Sequence, residues 1–201
     1  MIATNIQLPQ RFDASMIPIG RLHPSKAGYD LNESPLSSAS MTLSAETVEQ
    51  GQFIHMFDTY GAVDVFRISK VRTKYAKGQR EQDITLEHAL ATLGDVLIRG
   101  YYEFGGTGIT TTQVLTALLA LQTTVYWQLG TCEYADEYLY SVENESLLNT
   151  ILSVASPLTT PYRWTFDTTT FPFTLNLIQA TSTPTLEFRM SRNVQSVSHT
   201  I

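Results

Sequence analysis

FIHMFDTYGAVDVFRISKV, residues 53–71, repeats its apolar positions with a period of two, not the 3.6 of a helix. Phe53, His55 and Phe57 share one face of an extended chain. Val65, Arg67, Ser69 and Val71 then point away from Phe66 and Ile68. Between the two runs lies Thr59-Tyr60-Gly61-Ala62, whose glycine tolerates a positive φ, so the stretch predicts a β-hairpin. Met41 and Leu43 extend the alternation upstream, and Ile84-Thr85-Leu86-Glu87-His88-Ala89 extends it downstream, before a short helical turn over 90–97. Lys74 to Gln82 is polar, contains Gly78, and predicts a loop.

Working outward, residues 1–40 hold Pro9, Pro18, Pro24 and Pro35 without sustained periodicity, and predict an arm with one or two short strands. Gly105-Gly106-Thr107-Gly108 predicts a break. Thr110 to Thr112 then offers an N-cap for a helix reaching about Gln122, with Val114, Leu115, Leu118, Leu119 and Leu121 as its apolar stripe. Val125 to Leu129 predicts a strand ended by Gly130. A second helix from about Asn144 carries Leu147, Leu148, Ile151, Leu152 and Val154 and stops at Pro157. Extended segments follow at 162–166, 171–178 and 185–190. No fixed-period repeat is present. The expected fold class is α+β, a β-barrel or sandwich interrupted by an α/β insertion with two to three helices. The corresponding division is an arm (1–40), a split β-barrel or sandwich domain (41–88 and 160–190), an insertion (89–159) and a C-terminal segment (191–201).

Composition narrows the function classes. Hydrophobic residues make up 43% of the 201-residue chain and charged residues 16%, against about 25% charge in ordinary soluble domains. The surface must therefore be largely neutral and polar, and the runs Thr110–Thr112 and Thr168–Thr170 favour extended structure and caps. A net charge of −6 argues against specific nucleic-acid binding, because phosphate affinity comes chiefly from Lys and Arg. Met1 to Gly20, with Gln7, Gln10, Arg11 and Asp13, does not read as a signal peptide. No apolar run reaches the roughly 18 to 20 residues of a membrane helix, so no membrane anchor is expected. Cys132 is the single cysteine, which excludes an intrachain disulfide and a thiolate cluster and fits assembly in a reducing host cytoplasm.

Motifs of catalysis do not emerge, and the expectation is no enzyme, no catalytic residue, no metal and no cofactor. The glycines at 105–108 precede a helix, but G-x-x-x-x-G-K-[ST] and G-x-G-x-x-G are not matched, and a turn plus a cap accounts for them. His23, His55, His88 and His199 fall in no ligand spacing. His88 and its neighbour Glu87 point to opposite faces of a strand, which leaves His88 a structural role. There is no G-x-S-x-G elbow, and Cys132 lacks the setting of a thiol protease. Glu133, Asp136, Glu137, Glu143 and Glu145 could be read as glycosidase carboxylates. A simpler account puts Glu143 and Glu145 at a helix start, where the dipole favours negative charge. Aromatic residues gather in the middle of the chain, among them Trp127, Tyr134, Tyr138 and Tyr140. On an open face these four would suit sugar stacking or a subunit contact, and about half of the aromatics are expected to fill the core.

Four stretches together carry a resemblance: residues 53–71 quoted above, ITLEHALATLGDVLI (84–98), LALQTTVYWQLGTC (119–132) and ESLLNTILSVASPLTTPYRWTFDTTTFPFTLNL (145–177). The chain over roughly 38–195 resembles the N-terminal part of phage and prophage tail hub proteins, the prophage tail protein or tail endopeptidase family, similar to contractile-tail baseplate hubs. The resemblance implies a structural subunit of a tail tip or baseplate hub that joins tube to tip or spike and lines the channel. It also implies a homotrimer whose two barrels per subunit form a pseudo-hexameric ring. Its partners would be a tail tube or distal tail protein, a spike or tip protein and the tape measure protein, at the tail of a virion. EFRMSRNVQSVSHTI at the end looks like the linker into a second barrel, and any wall-cutting activity in the family belongs to later domains. The alternatives are a carbohydrate- or receptor-binding tail module and a cell-wall-degrading tail enzyme.

Overall fold

The computed structural model describes residues 7–30, 37–44, 46–58, 61–76, 79–156, 158 and 162–180. The alternation at 53–71 becomes strands β5 (Phe53–Asp58) and β6 (Gly61–Ala76), paired antiparallel with Phe53 opposite Arg67. Residues 59 and 60 of the expected turn lie outside the described residues. At its exit Gly61 has φ +133° and its amide donates to Asp58 Oδ1 at 3.0 Å. Strands β1 (Gln10–Phe12), β2 (Pro18–Arg21), β3 (Lys26–Asp30), β4 (Ser38–Leu43) and β7 (Gln79–His88) complete a seven-stranded sheet in the order β2-β1-β5-β6-β7-β4-β3. The segment expected to be an arm thus supplies three strands to this sheet. Pro18 fits because β2 is an edge strand and needs no ladder donor there. The polar segment expected to be a loop is the distal part of the β6–β7 ladder, where Lys74 pairs with Glu81 and Ala76 with Gln79.

Both faces of the central strands are buried. Ile54, Met56, Phe66, Ile68, Ile84, Leu86, Met41 and Leu43 gather on one side with Leu22 and Val48 from connecting segments. The Val48 amide donates to Oε1 of Gln82, itself a buried residue, at 3.0 Å. Phe53 and Val65 point the other way into a second, larger cluster. A buried residue of this size contributes about 1.5–3 kcal/mol, so the two-sided burial makes β5 and β6 the centre of the fold.

After β7 the chain turns through a 3₁₀ helix, Ala89–Asp95, and enters β8 (Leu97–Thr110). The glycines at 105–108 do not end β8. They lie within it, and Gly105, at φ +91°, admits Tyr138 so closely that a Cβ there would stand 2.1 Å from the Tyr138 carbonyl oxygen. Helix α1 (Thr111–Leu119) starts as expected on Thr110, in a capping box with Gln113. It stops before Gln122, whose side-chain amide instead bonds the backbone of Trp127 on both sides, at 2.7 and 2.9 Å. Strand β9 (Trp127–Cys132) passes through Gly130, where a side chain would collide with Asn176 and Thr174. Strand β10 (Glu137–Ser146) was not anticipated and pairs antiparallel with β8. Helix α2 (Leu147–Ser153) is capped by Ser146. The later strands are β11 (Tyr162–Asp167) and β12 (Phe173–Gln179), while the expected strand at 185–190 and the linker at 191–201 lie outside the described residues.

The expected α+β class holds, and between the barrel and the sandwich the pairing of these last strands leaves open sheets and no closed barrel among the described residues. β12 joins β11 on one side and runs parallel to β9 on the other, in a three-stranded sheet of its own. Within the first sheet, β5, β6 and β7 already have neighbours on both edges, so no central edge is open to β11 or β12. The two sheets meet through side chains: Phe53 and Val65 share one cluster with Trp127, Phe173, Leu175 and the buried faces of α1 and α2. The result is a sheet-rich α+β fold in open layers, with a core continuous from the first sheet to the last.

Candidate functional site

Among the sequence candidates for chemistry, His88 acquires the most elaborate surroundings, and they are structural. Its Nδ1 accepts the Leu90 amide at 3.1 Å, capping the 3₁₀ helix. Its Nε2 lies 2.9 Å from Asp64 Oδ2, and the other oxygen of Asp64 accepts from Thr168 Oγ1 at 2.5 Å. Both ring nitrogens are thereby engaged and the residue is only 2% exposed. No nitrogen is left to exchange a proton with a substrate. Burial works to raise the Asp64 carboxyl, but hydrogen bonds and charge from His88, with the Thr168 hydroxyl and the Val65 amide, hold it below its ordinary value. Nearby, burial lowers His55, partly opposed by the charge of Asp64. Glu87 is turned away, as the alternation requires, and binds Arg67.

The remaining candidates disperse. His23 pairs with Glu46 at 2.8 Å, and His199 lies outside the described residues. Among the described residues no three His, Cys, Asp or Glu side chains converge on a metal-sized site. The Cys132 thiol donates to the Tyr134 carbonyl at 3.1 Å. Glu145 accepts from the Ser146 amide and the Asn149 side chain beside the start of α2, close to the role expected of it, whereas Glu143 sits on β10. Two clefts of about 270 and 390 Å³ share Gly51, Arg67 and Asp95. The Arg67 guanidinium in them is spent on Glu87 and Asp95.

The four aromatic residues considered for a sugar-binding face do not form one. Trp127 is fully buried, Tyr140 bonds Thr111 through its hydroxyl at 2.9 Å, and Tyr134 packs edge-on against Tyr162 at 5.4 Å. Only Tyr138 is exposed.

What the molecule does present to solvent is the β8–β10 ribbon. These two strands pair only with one another among the described residues, so both outer edges carry unpaired backbone groups. Along it Leu97, Tyr101, Tyr102, Ile109 and Leu139 are exposed, Tyr101 by 61% and Leu97 by 58%. At its base a groove of about 290 Å³ is lined by Leu97, Tyr102, Phe104 and Leu121. A two-stranded ribbon is marginal in water alone, and Tyr-rich apolar surface with open edges is the chemistry of protein contacts. Sequence reasoning missed this surface because 137–146 reads as an acidic cluster, although Tyr138, Tyr140 and Val142 do alternate.

No known family model matches the chain, and no curated protein matches it in sequence. Solved structures do. A tail protein from Neisseria meningitidis superposes with a TM-score of 0.61 at 14% identity, over 85% of this chain and 49% of that one. Prophage tail protein gp18 from Listeria monocytogenes gives 0.53 at 10% identity, over 85% and 50%. The 43 kDa tail protein of prophage MuSo2 from Shewanella oneidensis gives 0.51 at 11% identity, over 87% and 50%. The chain therefore spans about half the length of the structures it matches, and what it shares with these tail and prophage tail proteins is their fold.

Proposed function

We propose that this chain is a structural, non-catalytic subunit of a phage-like tail tip or baseplate hub, joining the tail tube to the tip or spike. The carrying observation is the exposed, open-edged β8–β10 ribbon, on a fold seen in tail proteins. Large neutral surfaces and only 16% charged residues suit a particle in which one contact is repeated by symmetry. In this reading the subunit forms a homotrimer, a pseudo-hexameric ring continuing the tail tube. Its partners are the tube or distal tail protein, the spike and the tape measure protein, assembled in the host cytoplasm. Residues 41–88 with 160–190 act as the tube-like part and 89–159 as the insertion that carries the ribbon outward.

Deleting the coding sequence from the strain that encodes it tests the role. The expected outcome is tubes without a closed tip, or no tails. Complete, functional tails in the deletion strain would overturn the proposal.

A further inference from the structure

We propose that copies of this chain join head to tail, with the basic β6–β7 hairpin of one copy docked on the acidic β8–β10 ribbon of the next. The idea rests on the tail-assembly reading for its setting and on charge for its partner. Residues 97–110 and 133–146 hold six carboxylates, Glu103, Glu133, Asp136, Glu137, Glu143 and Glu145, with Arg99 as the single cation. None of the six forms an ion pair among the described residues. The ribbon and the segment that leads from β9 into β10 thus account for most of the net charge of −6.

The β6–β7 hairpin has the opposite balance. Over 70–83 its described cations are Lys70, Arg72, Lys74 and Arg80, against Glu81 and Asp83. Lys74 takes both carboxylates, at 3.4 and 3.0 Å, which leaves Lys70, Arg72 and Arg80 exposed and outside any ion pair among the described residues. β4 pairs with β7 only from Gln82 onward, so the tip, Gln79 to Glu81 with its β6 partners, projects past the neighbouring strand. It carries Tyr75, 78% exposed, and Tyr75 would meet the apolar residues of the ribbon.

No ion pair joins hairpin to ribbon within one chain among the described residues. The two surfaces differ from one another, so a contact between them is heterologous, the kind that closes into a ring when its rotation allows. Unlike charges facing across such a contact set its register and speed encounter.

Sedimentation of the full chain, with charge reversal, tests the contact. Lys70→Glu with Arg80→Glu, and separately Glu137→Lys with Glu143→Lys, change only exposed side chains, and circular dichroism checks that each variant folds. Each pair is expected to weaken self-association about tenfold or more, and raising salt from about 0.1 to about 1 M should weaken the wild type. The chain with all four reversals, or a mixture of the two variants, should associate again. A chain monomeric at every concentration, variants that associate like the wild type, or four reversals without recovery would each overturn the contact. A contact that holds in a protein absent from tail particles would instead sink the hub reading and leave the contact standing.

Discussion

Trp127→Ala is expected to remove about 3–5 kcal/mol of unfolding free energy, a large share of the roughly 5–15 kcal/mol that holds a typical domain together. Trp127 is fully buried where the two sheets and both helices meet. Its ring lies 5.2 Å from Phe173, 6.1 Å from Phe166 and 6.3 Å from the His88 ring. Its indole N–H donates to Thr92 Oγ1 at 3.2 Å and reaches the Ala89 carbonyl at 3.3 Å. Truncation therefore opens a cavity and strands polar partners of the 3₁₀ helix at once. Trp127→Phe keeps most of the volume and should cost less than half as much. Thermal unfolding of the two variants would separate packing from hydrogen bonding, and equal melting temperatures for wild type and Trp127→Ala would show that the layers do not share a core.

The second large effect concerns Asp64. Asp64→Ala leaves His88 Nε2 and Thr168 Oγ1 without their acceptor, and is expected to cost about 2–3 kcal/mol at neutral pH. The carboxyl is held below its ordinary 3.8, so it binds fewer protons folded than unfolded. Its contribution is complete above 3.8 and disappears as pH falls through the lower folded value. Wild type should therefore lose stability below about pH 4 more steeply than Asp64→Ala. Burial lowers His55 too, so its share of the acid loss begins higher, as pH falls below the ordinary 6.5. The His55 share should persist in the Asp64 variant. Denaturant titrations across this range would show it, and superimposable acid limbs would remove Asp64 from the account.

These positions also show where the sequence is informative. The two-residue alternation at 53–71 announces a hairpin because successive side chains pass to opposite faces, Ile54, Phe66 and Ile68 into one core and Phe53 and Val65 into the other, and Thr110 announces α1 because its cap is local. Signals fail where both faces are wet or where the partner is distant. The distal β6–β7 ladder and β10 are exposed on most positions, so nothing imposes an apolar period on them. Thr168 reaches Asp64 across 104 residues, and β12 finds β9 only after β10, α2 and β11 intervene. Trp127 looked equally suited to a core and to an open face until the hydrogen bonds to Ala89 and Thr92 placed it inside. The separation of Glu87 from His88 on opposite faces was legible in His88's place on an alternating strand. The true partner of His88, Asp64, was not.

The central claim, a structural place in a tail tip, is tested most directly by electron microscopy of purified particles from the strain that encodes the protein, with a gold-labelled tag on its N-terminus. The account predicts label at one end of the tail, in threefold-related positions. Particles without label, or label only on protein free of particles, would contradict it.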